Sequence, residues 1–160
     1  MEELAVLQRE VQVNLHLQDG RDLAGTMFVP AVGPDGGPGH LIDRLNEESE
    51  EFVALRENNQ RTHLIHETRI LTVQIDHDEV EERVETEVEE APLSHHLLVK
   101  MHLTSGAEII GQLSYVQPHD HERLQDYLNT QRRFIPLRVQ SKLMYVNRQQ
   151  VVSVFPLRGE

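Results

Sequence analysis

A short pattern that occurs twice constrains the fold of this chain more than any other feature. The first copy occupies residues 11–25 and the second occupies residues 97–111. At one offset of 86 residues the copies share a histidine, a leucine and two glycines: His16 with His102, Leu17 with Leu103, Gly20 with Gly106, and Gly25 with Gly111. Such internal similarity indicates two copies of one structural unit. We predict a first repeat over residues 1–75, an acidic linker over 76–96 and a second repeat over 97–160.

Each copy of the pattern predicts a β-hairpin. Apolar and polar residues alternate over residues 11–17, which is the period of a half-buried strand. The Asp19-Gly20 pair that follows is typical of a tight hairpin turn. Gly25 then lies inside the return strand, where a glycine usually marks a bend or a close approach of another backbone. Both repeats are therefore expected to curl at this position.

The remainder of each repeat predicts three short strands and a short helix. The helices fall in 40–46 and 121–129, which share the sequence Leu-x-Asp-x-Leu-Asn. A further short helix is predicted over 2–10, and the Gly-Pro segment 33–39 predicts a loop. The predicted strands, which are rich in β-branched and aromatic residues, are 52–55, 62–65 and 70–75 in the first repeat and 134–137, 143–146 and 151–155 in the second.

The acidic linker admits three interpretations. Its charge density is typical of a solvated segment with some helical tendency. Val80, Val84 and Val88 recur every fourth residue, which would suit a thin apolar stripe on a helix. Alternatively, the carboxylates could lie over the basic surface of the second repeat and compete there with a polyanion.

Composition narrows the functional class. The chain has no cysteine, which excludes disulfides, thiolate metal sites and a cysteine nucleophile. No apolar run reaches the length of a membrane span, and the acidic N-terminus lacks the features of a secretion signal, so we expect a cytoplasmic protein. The net charge of −12 divides into −7 for the first repeat, −8 for the linker and +3 for the second repeat. Only the second repeat is therefore suited to a phosphate backbone.

The glycine-marked hairpin resembles the first motif of the Sm-like (LSm) family, with Leu17, Gly20 and Gly25 in one copy and their counterparts in the other. Residues 66–71 and 147–152 loosely resemble the second Sm motif, although its usual Arg-Gly is absent. In Sm proteins an Asp and an Asn closely follow the glycine and help to bind a base, whereas Asp126 and Asn129 come well after Gly111. The chain looks more like an uncharacterised bacterial Sm-like branch than like a known RNA chaperone.

The resemblance implies a mainly β fold of two tandem five-stranded Sm-like barrels, each with short helical segments. It also implies exposed edges on the fourth and fifth strands of each barrel, which favour pairing with another chain. We therefore predict a non-catalytic interaction or assembly module of regulatory type. Its partners would be copies of itself, for which the resemblance suggests a ring, or another protein, and no membrane.

RNA binding through the second repeat is the alternative prediction. Its candidate phosphate contacts are the basic residues Arg132, Arg133, Arg138, Lys142 and Arg148. Aromatic residues nearby could stack on bases. The competing explanation is that these cations dock against the acidic first repeat or the linker. Asp43, Asn46, Asp126 and Asn129 recur in both repeats, which suits either helix capping or contact with a nucleotide.

The sequence offers little support for catalysis or for metal binding. No Ser or Thr lies in a turn typical of a nucleophile, and the paired carboxylates occur within charge runs. The closest histidine sets are His95 with His96, His63 with His66, and His119 with His121. Single pairs do not make a coordination sphere. We predict neither an enzyme nor a bound cofactor.

Overall fold

The computed structural model describes residues 7–47, 49–116, 124–130 and 133–159. Within these residues, ten antiparallel strands form one open sheet, which confirms the mainly β prediction. Two closed barrels are not what the structure shows, because the strands at the two ends of the sheet do not pair with each other. The strands are β1 Gln8–Leu17, β2 Asp22–Pro30, β3 Phe52–Glu57, β4 Thr62–His66, β5 Ile70–Ile75, β6 Ser94–Leu103, β7 Glu108–Val116, β8 Phe134–Val139, β9 Lys142–Asn147 and β10 Val151–Gly159.

The order of the strands repeats within the sheet. The sheet runs β10-β6-β7-β8-β9-β5-β1-β2-β3-β4. Each half of the chain therefore places its fifth strand beside its first, followed by its second, third and fourth. The halves meet where β5, the fifth strand of the first half, pairs with β9, the fourth strand of the second. This junction leaves β4 and β10 as the two edges.

The strand register repeats along with the order. Leu15 lies opposite Val73 in the first half, and Met101 lies opposite Val154 in the second. The register also shifts at the same place, beside Leu17 and beside Leu103. Strands β4 and β5 thus correspond to β9 and β10 at an offset of 81 residues. These correspondences allow the surroundings of one half to be compared directly with those of the other.

Gly25 and Gly111 lie where the third strand of each half crosses the second. Strand β3 pairs with β2 only at Gly25 and Thr26, and β8 pairs with β7 only at Gln112. A Cβ atom at Gly25 would lie 2.4 Å from the carbonyl oxygen of Arg56, and one at Gly111 would lie 2.7 Å from Cγ of Leu137. Real Cβ contacts essentially never come this close. The glycines thus permit a close approach of neighbouring strands.

The two hairpin glycines serve a different purpose. Gly20 and Gly106 have φ angles of +93° and +91°, a conformation that glycine adopts without strain. In each turn the glycine N–H donates to the carbonyl of the matched leucine, at 3.0 Å for Gly20 and 2.9 Å for Gly106. The tight turns expected from the sequence are therefore built in the same way in both halves.

The prediction of a helix over residues 2–10 is wrong for residues 8–10. Residues 8–10 belong to β1, with Gln8 opposite Pro30, and residues 1–6 lie outside the described residues. The strand extends this far because β2 is long enough to supply partners for its backbone. The two inner helices are α1 Leu41–Leu45 and α3 Leu124–Thr130, within or next to the predicted segments.

The acidic linker contains the longest helix of the described residues, α2 Glu79–Glu90. Asp78 caps it, since its carboxylate accepts from the N–H groups of Val80 and Glu81 at 3.1 Å. The buried positions of this helix are Glu81 and Glu85, whereas the predicted valine stripe is only half-buried. Among the described helices, none is long and apolar enough to cross a membrane. The buried glutamates need partners, which the rest of the fold supplies.

Two hydrophobic cores lie along the sheet, and each includes residues from the other half. The core of the first half contains Phe134, Leu143 and Tyr145 from β8 and β9. The core of the second half contains Leu71 from β5. The two halves therefore complete each other's interior at the junction between β5 and β9.

Candidate functional site

The junction between the halves is built from two edge strands that bury their side chains together. Thr72 lies opposite Val146, and Val73 lies opposite Tyr145. All four side chains are buried. A strand edge is a row of unpaired backbone donors and acceptors, so joining two edges satisfies both rows at once. The junction shows how one unit of this fold receives another.

Apolar anchors from the second half fill the first half at this junction. Phe134 enters the core formed by α1 and the first half's strands, where its exposed fraction is 1%. Tyr145 enters the same core and is 2% exposed. Leu41 and Leu45 of α1 are fully buried there. Burial of aromatic side chains is among the largest single contributions to packing between units.

Asn46 binds the main chain of the second half. Its side-chain oxygen accepts from the N–H of Phe134 at 2.7 Å, and its amide nitrogen donates to the Phe134 carbonyl at 3.5 Å. The side chain is buried, so both contacts replace water. Asn46 lies at the C-terminal end of α1, where the sequence suggested capping or a nucleotide contact. The side chain of Asn46 therefore bonds to the main chain of the other half.

Glu67 forms the charged contact of the junction. Its carboxylate pairs with Arg133 of the second half at 2.5 Å and with Arg44 of the first half at 3.3 Å. The Glu67 side chain is fully buried. Asn147 adds hydrogen bonds to the carbonyls of Glu67 and Ile70, at 3.2 and 2.9 Å. The junction is therefore selective for charge as well as for shape.

Glu81 of α2 joins four elements at the junction. Its fully buried carboxylate accepts from Arg9 at 2.6 Å and from the Tyr145 hydroxyl at 2.6 Å. It also accepts from the N–H of Leu41 at 2.9 Å and from that of Ile42 at 3.3 Å. These are two of the N–H groups at the start of α1 that have no partner within the helix. One side chain thus connects β1, α1, α2 and β9.

Glu85, one turn further along α2, has a different environment. It is buried, and burial raises its pKa to about 7, assisted by repulsion from Glu89 and Glu82 and opposed by Arg138. Burial also raises the pKa of Tyr127, with a smaller contribution from nearby Glu85. Arg138 itself pairs with Glu82 at 2.5 Å and with Glu89 at 3.0 Å. Helix α2 therefore holds the second half through one arginine while burying a carboxyl group beside it.

We expect the stability of the protein to fall as the pH rises from about 4.5 to about 7. The folded chain keeps the Glu85 proton up to about pH 7, whereas the unfolded chain releases it near pH 4.5. The folded state then binds more protons than the unfolded state in this window, so the free energy of unfolding decreases with pH. Burial raises the pKa of Glu67 to about 7 as well, so Glu85→Gln should remove only the part of this decrease that comes from Glu85 and stabilise the protein at pH 8 by about 2–3 kcal/mol.

Urea unfolding at pH 5 and at pH 8 measures this effect. Glu87→Gln is the matched control, since Glu87 is exposed on the same helix and should change the free energy of unfolding by less than about 0.5 kcal/mol. A Glu85→Gln protein with the same pH dependence as the wild type would contradict the prediction.

The two edges of the sheet carry exposed apolar side chains. On the β4 side, Leu64 is 73% exposed and Phe52 of β3 is 52% exposed. On the β10 side, Val152 and Phe155 are exposed. A groove of about 500 Å³ runs between β10 and α3 and is lined by Leu124, Leu128, Asn129, Ile135, Arg148 and Val154. Exposed apolar surface on an unpaired edge is typical of a binding surface.

The predicted basic residues do not form one common surface among the described residues. Arg133 binds Glu67, and Arg138 binds α2. Lys142 is exposed at the turn between β8 and β9, and Arg148 donates to the carbonyl of Leu128 at 2.9 Å. Arg132 lies outside the described residues. Arg133 and Arg138 therefore dock against acidic residues, which is the competing explanation for these cations.

The repeated polar residues of the helices divide between the two halves. Asp43 lies in the first turn of α1, and Asp126 lies in the first turn of α3. Asp43 is exposed, whereas Asp126 is partly buried. Asn129 is exposed in the groove beside β10, whereas its counterpart Asn46 is buried in the junction. The two asparagines therefore differ in what covers them.

Histidines lie in matched ion-pair positions in the two hairpins. His16 lies against Asp22, and His102 lies 3.9 Å from Glu108. Within the described ranges, no group of three or more His, Asp or Glu side chains could hold a metal ion. His119 and His121 lie outside those ranges. The predicted absence of catalysis is not tested by this geometry and stays a prediction.

The sequence did not reveal the roles of Glu67, Glu81, Phe52 or Leu64. The two glutamates lie among many other acids, and charged residues are rarely fully buried unless paired. Phe52 and Leu64 lie in predicted strands whose neighbouring residues are also apolar, so the sequence gives no sign that these two side chains are exposed. The repeat itself was the available signal. A residue next to the other half and its counterpart at an edge of the sheet have different neighbours, so their burial is expected to differ. Comparisons of the chain with protein-family models, with curated proteins and with solved structures find no match.

Proposed function

We propose that this protein is a non-catalytic interaction module that assembles with copies of itself through the edges of its open sheet. The observation that carries this proposal is the junction between β5 and β9, where two edge strands of the same fold already join. Strands β4 and β10 are the corresponding edges without a partner among the described residues, and both carry exposed apolar side chains. Each chain would supply two positions to the assembly.

We also propose that the two halves are tandem Sm-like units. The supporting observation is that each half has the same five-strand order, in which the fourth and fifth strands form the edges. The glycine-marked bend of the second strand occurs in both halves and admits the third strand. A contact between β4 of one chain and β10 of the next joins different surfaces. Such a contact either closes into a ring or continues as a filament.

RNA binding is the weaker proposal on the geometry. A phosphate backbone needs cations that are free to release their counterions. Arg133 pairs with Glu67 at 2.5 Å. Arg138 pairs with Glu82 at 2.5 Å and with Glu89 at 3.0 Å. The second half thus offers RNA less free positive charge than its sequence suggests.

The oligomeric mass of the full-length chain tests the assembly proposal. Light scattering coupled to size exclusion is expected to give a mass well above the 18.5 kDa of one chain, increasing with concentration. Lysine on the edge strands should prevent association, because charge on an edge blocks strand pairing. The Leu64→Lys and Phe155→Lys proteins are therefore expected to be folded monomers.

Val32→Lys is the matched control, because Val32 is an exposed apolar residue of the loop after β2 and belongs to neither edge strand. It should assemble as the wild type does. A wild-type protein that remains a monomer at its highest soluble concentration would refute the proposal.

A further inference from the structure

We infer that the strand β4 of a second copy of this chain binds along β10 in the same register that β9 uses on β5. The inference rests on the proposed self-assembly and specifies its contacts. The two edges of the sheet match the two sides of the internal junction position by position.

The register of the internal junction predicts that of the external one. Because β4 and β5 correspond to β9 and β10 at an offset of 81 residues, the pair of Val73 with Tyr145 becomes Val154 with Leu64 of the second copy. Likewise the pair of Thr72 with Val146 becomes Ser153 with Ile65. The backbone of β10 is then paired on both sides, as that of β5 is.

The apolar anchors correspond as well. Phe134 is 1% exposed in the internal junction, whereas its counterpart Phe52 is 52% exposed at the free edge. Tyr145 is 2% exposed, and its counterpart Leu64 is 73% exposed. In the inferred contact, Phe52 and Leu64 of the second copy enter the groove beside β10. They would be buried as Phe134 and Tyr145 are in the first half.

The groove that would receive the second copy is less covered than the equivalent surface of the first half. Leu41 and Leu45 of α1 are fully buried under the second half. Their counterparts in α3, Leu124 and Leu128, are only half-buried and line the groove of about 500 Å³. The groove of the second half therefore corresponds to the space that Phe134 fills in the first half. Its size and apolar lining suit an aromatic side chain.

Asn129 supplies the hydrogen bonds of the inferred contact. Its counterpart Asn46 binds the N–H and the carbonyl of Phe134. Asn129 lines the groove and is exposed there. In the same geometry it would bind the N–H and the carbonyl of Phe52 in the second copy. The repetition of this asparagine in both halves thereby has a physical reason.

The charged pair is preserved with its signs exchanged. Internally, Glu67 of the receiving half pairs with Arg133 of the entering half. The corresponding residues are Arg148 on the receiving half and Glu51 on the entering copy. Arg148 is partly buried beside the groove, and Glu51 is exposed next to Phe52. The two surfaces are therefore complementary in charge, which favours the correct partner over others.

Cysteine cross-linking tests the inferred register, and the chain offers a clean background because it has no cysteine. Two single variants, Leu64→Cys and Val154→Cys, are mixed at concentrations where the wild type assembles and are then oxidised. Residues directly opposite each other on paired strands have Cβ atoms about 5 Å apart, close enough for a disulfide after small adjustment. We expect a disulfide-linked dimer of the two variants.

The control mixes Leu64→Cys with Glu87→Cys, since Glu87 is exposed on α2 and belongs to neither edge strand. It should give little cross-linked product. If the wild type assembles but the pair of 64 with 154 cross-links no better than this control, the inferred register is wrong while self-assembly stands. If the wild type is monomeric throughout, both the register and the proposed function fail.

Charge reversal tests the inferred ion pair independently. Glu51→Arg and Arg148→Glu should each weaken association about tenfold, as expected for loss of a partly buried pair. A chain that carries both substitutions should recover most of the lost affinity. Arg83→Glu and Glu87→Arg are the controls, because both residues are exposed on α2. No recovery in the double variant would overturn the inferred pairing of residues 51 and 148.

Discussion

Replacement of Glu81 with glutamine is expected to lower the free energy of unfolding by about 3–5 kcal/mol. The carboxylate is fully buried and accepts from Arg9, from Tyr145 and from two backbone N–H groups of α1. Glutamine keeps the volume but loses the charge, which leaves the guanidinium of Arg9 with only part of its compensation. Removing one partner of a buried charged pair costs more than the pair itself contributes.

Urea unfolding at pH 7 measures the loss for Glu81→Gln, and Glu79→Gln provides the control. Glu79 is exposed in the first turn of the same helix, so its substitution should cost less than about 0.5 kcal/mol. A double variant of Glu81→Gln with Arg9→Met should regain part of the stability, since the uncompensated charge is then gone. Equal losses at positions 79 and 81 would show that the buried carboxylate does not hold the four elements together.

The Gly25→Ala protein is expected to be less stable than the wild type by about 3 kcal/mol. The added Cβ would lie 2.4 Å from the backbone oxygen of Arg56 and 3.0 Å from its carbonyl carbon. Backbone atoms cannot rotate away as the end of a side chain can, so β3 must move from β2. These strands pair only at Gly25 and Thr26, and the displacement removes much of their contact.

Two other alanine substitutions provide the comparison for Gly25→Ala. Gly111→Ala should cost less, because the nearest atom is Cγ of the Leu137 side chain at 2.7 Å, although the Arg138 oxygen lies at 2.8 Å. Gly33→Ala should be nearly neutral, since its nearest atom lies at 3.4 Å. Chemical denaturation of all three proteins gives the ranking. A loss at Gly25 no larger than the loss at Gly33 would refute the close approach of the strands.

The local elements of this fold could be predicted from the sequence because their signals are local. Alternation over residues 11–17 and the Asp-Gly turn identify a hairpin, and the twofold occurrence of Gly25 and Gly111 identifies a close approach. The pairing of β5 with β9 could not be predicted in this way. It joins residues at least 70 positions apart, and nothing in either strand specifies which edge it meets.

The candidate site was predicted in part. Repetition singled out Asn46 and Asn129, but capping and nucleotide contact were the roles considered. The partner of Asn46 is the main chain of Phe134, 88 residues away. Every residue has the same main-chain groups, so the sequence cannot show which of them this asparagine binds. Glu67 and Glu81 were missed because an acid-rich chain offers no sequence signal for which carboxylates are buried.

The presence of one junction inside each chain has a consequence for how many units an assembly can contain. Residues joined by a short tether meet at a high effective concentration, so the contact of β5 with β9 forms in every folded chain whatever its dilution. Only the contact between chains depends on concentration. Growth therefore proceeds by two units at a time, and every closed assembly must hold an even number of them. A ring with an odd number of units would be impossible for this protein, even though single units of the same shape could form one.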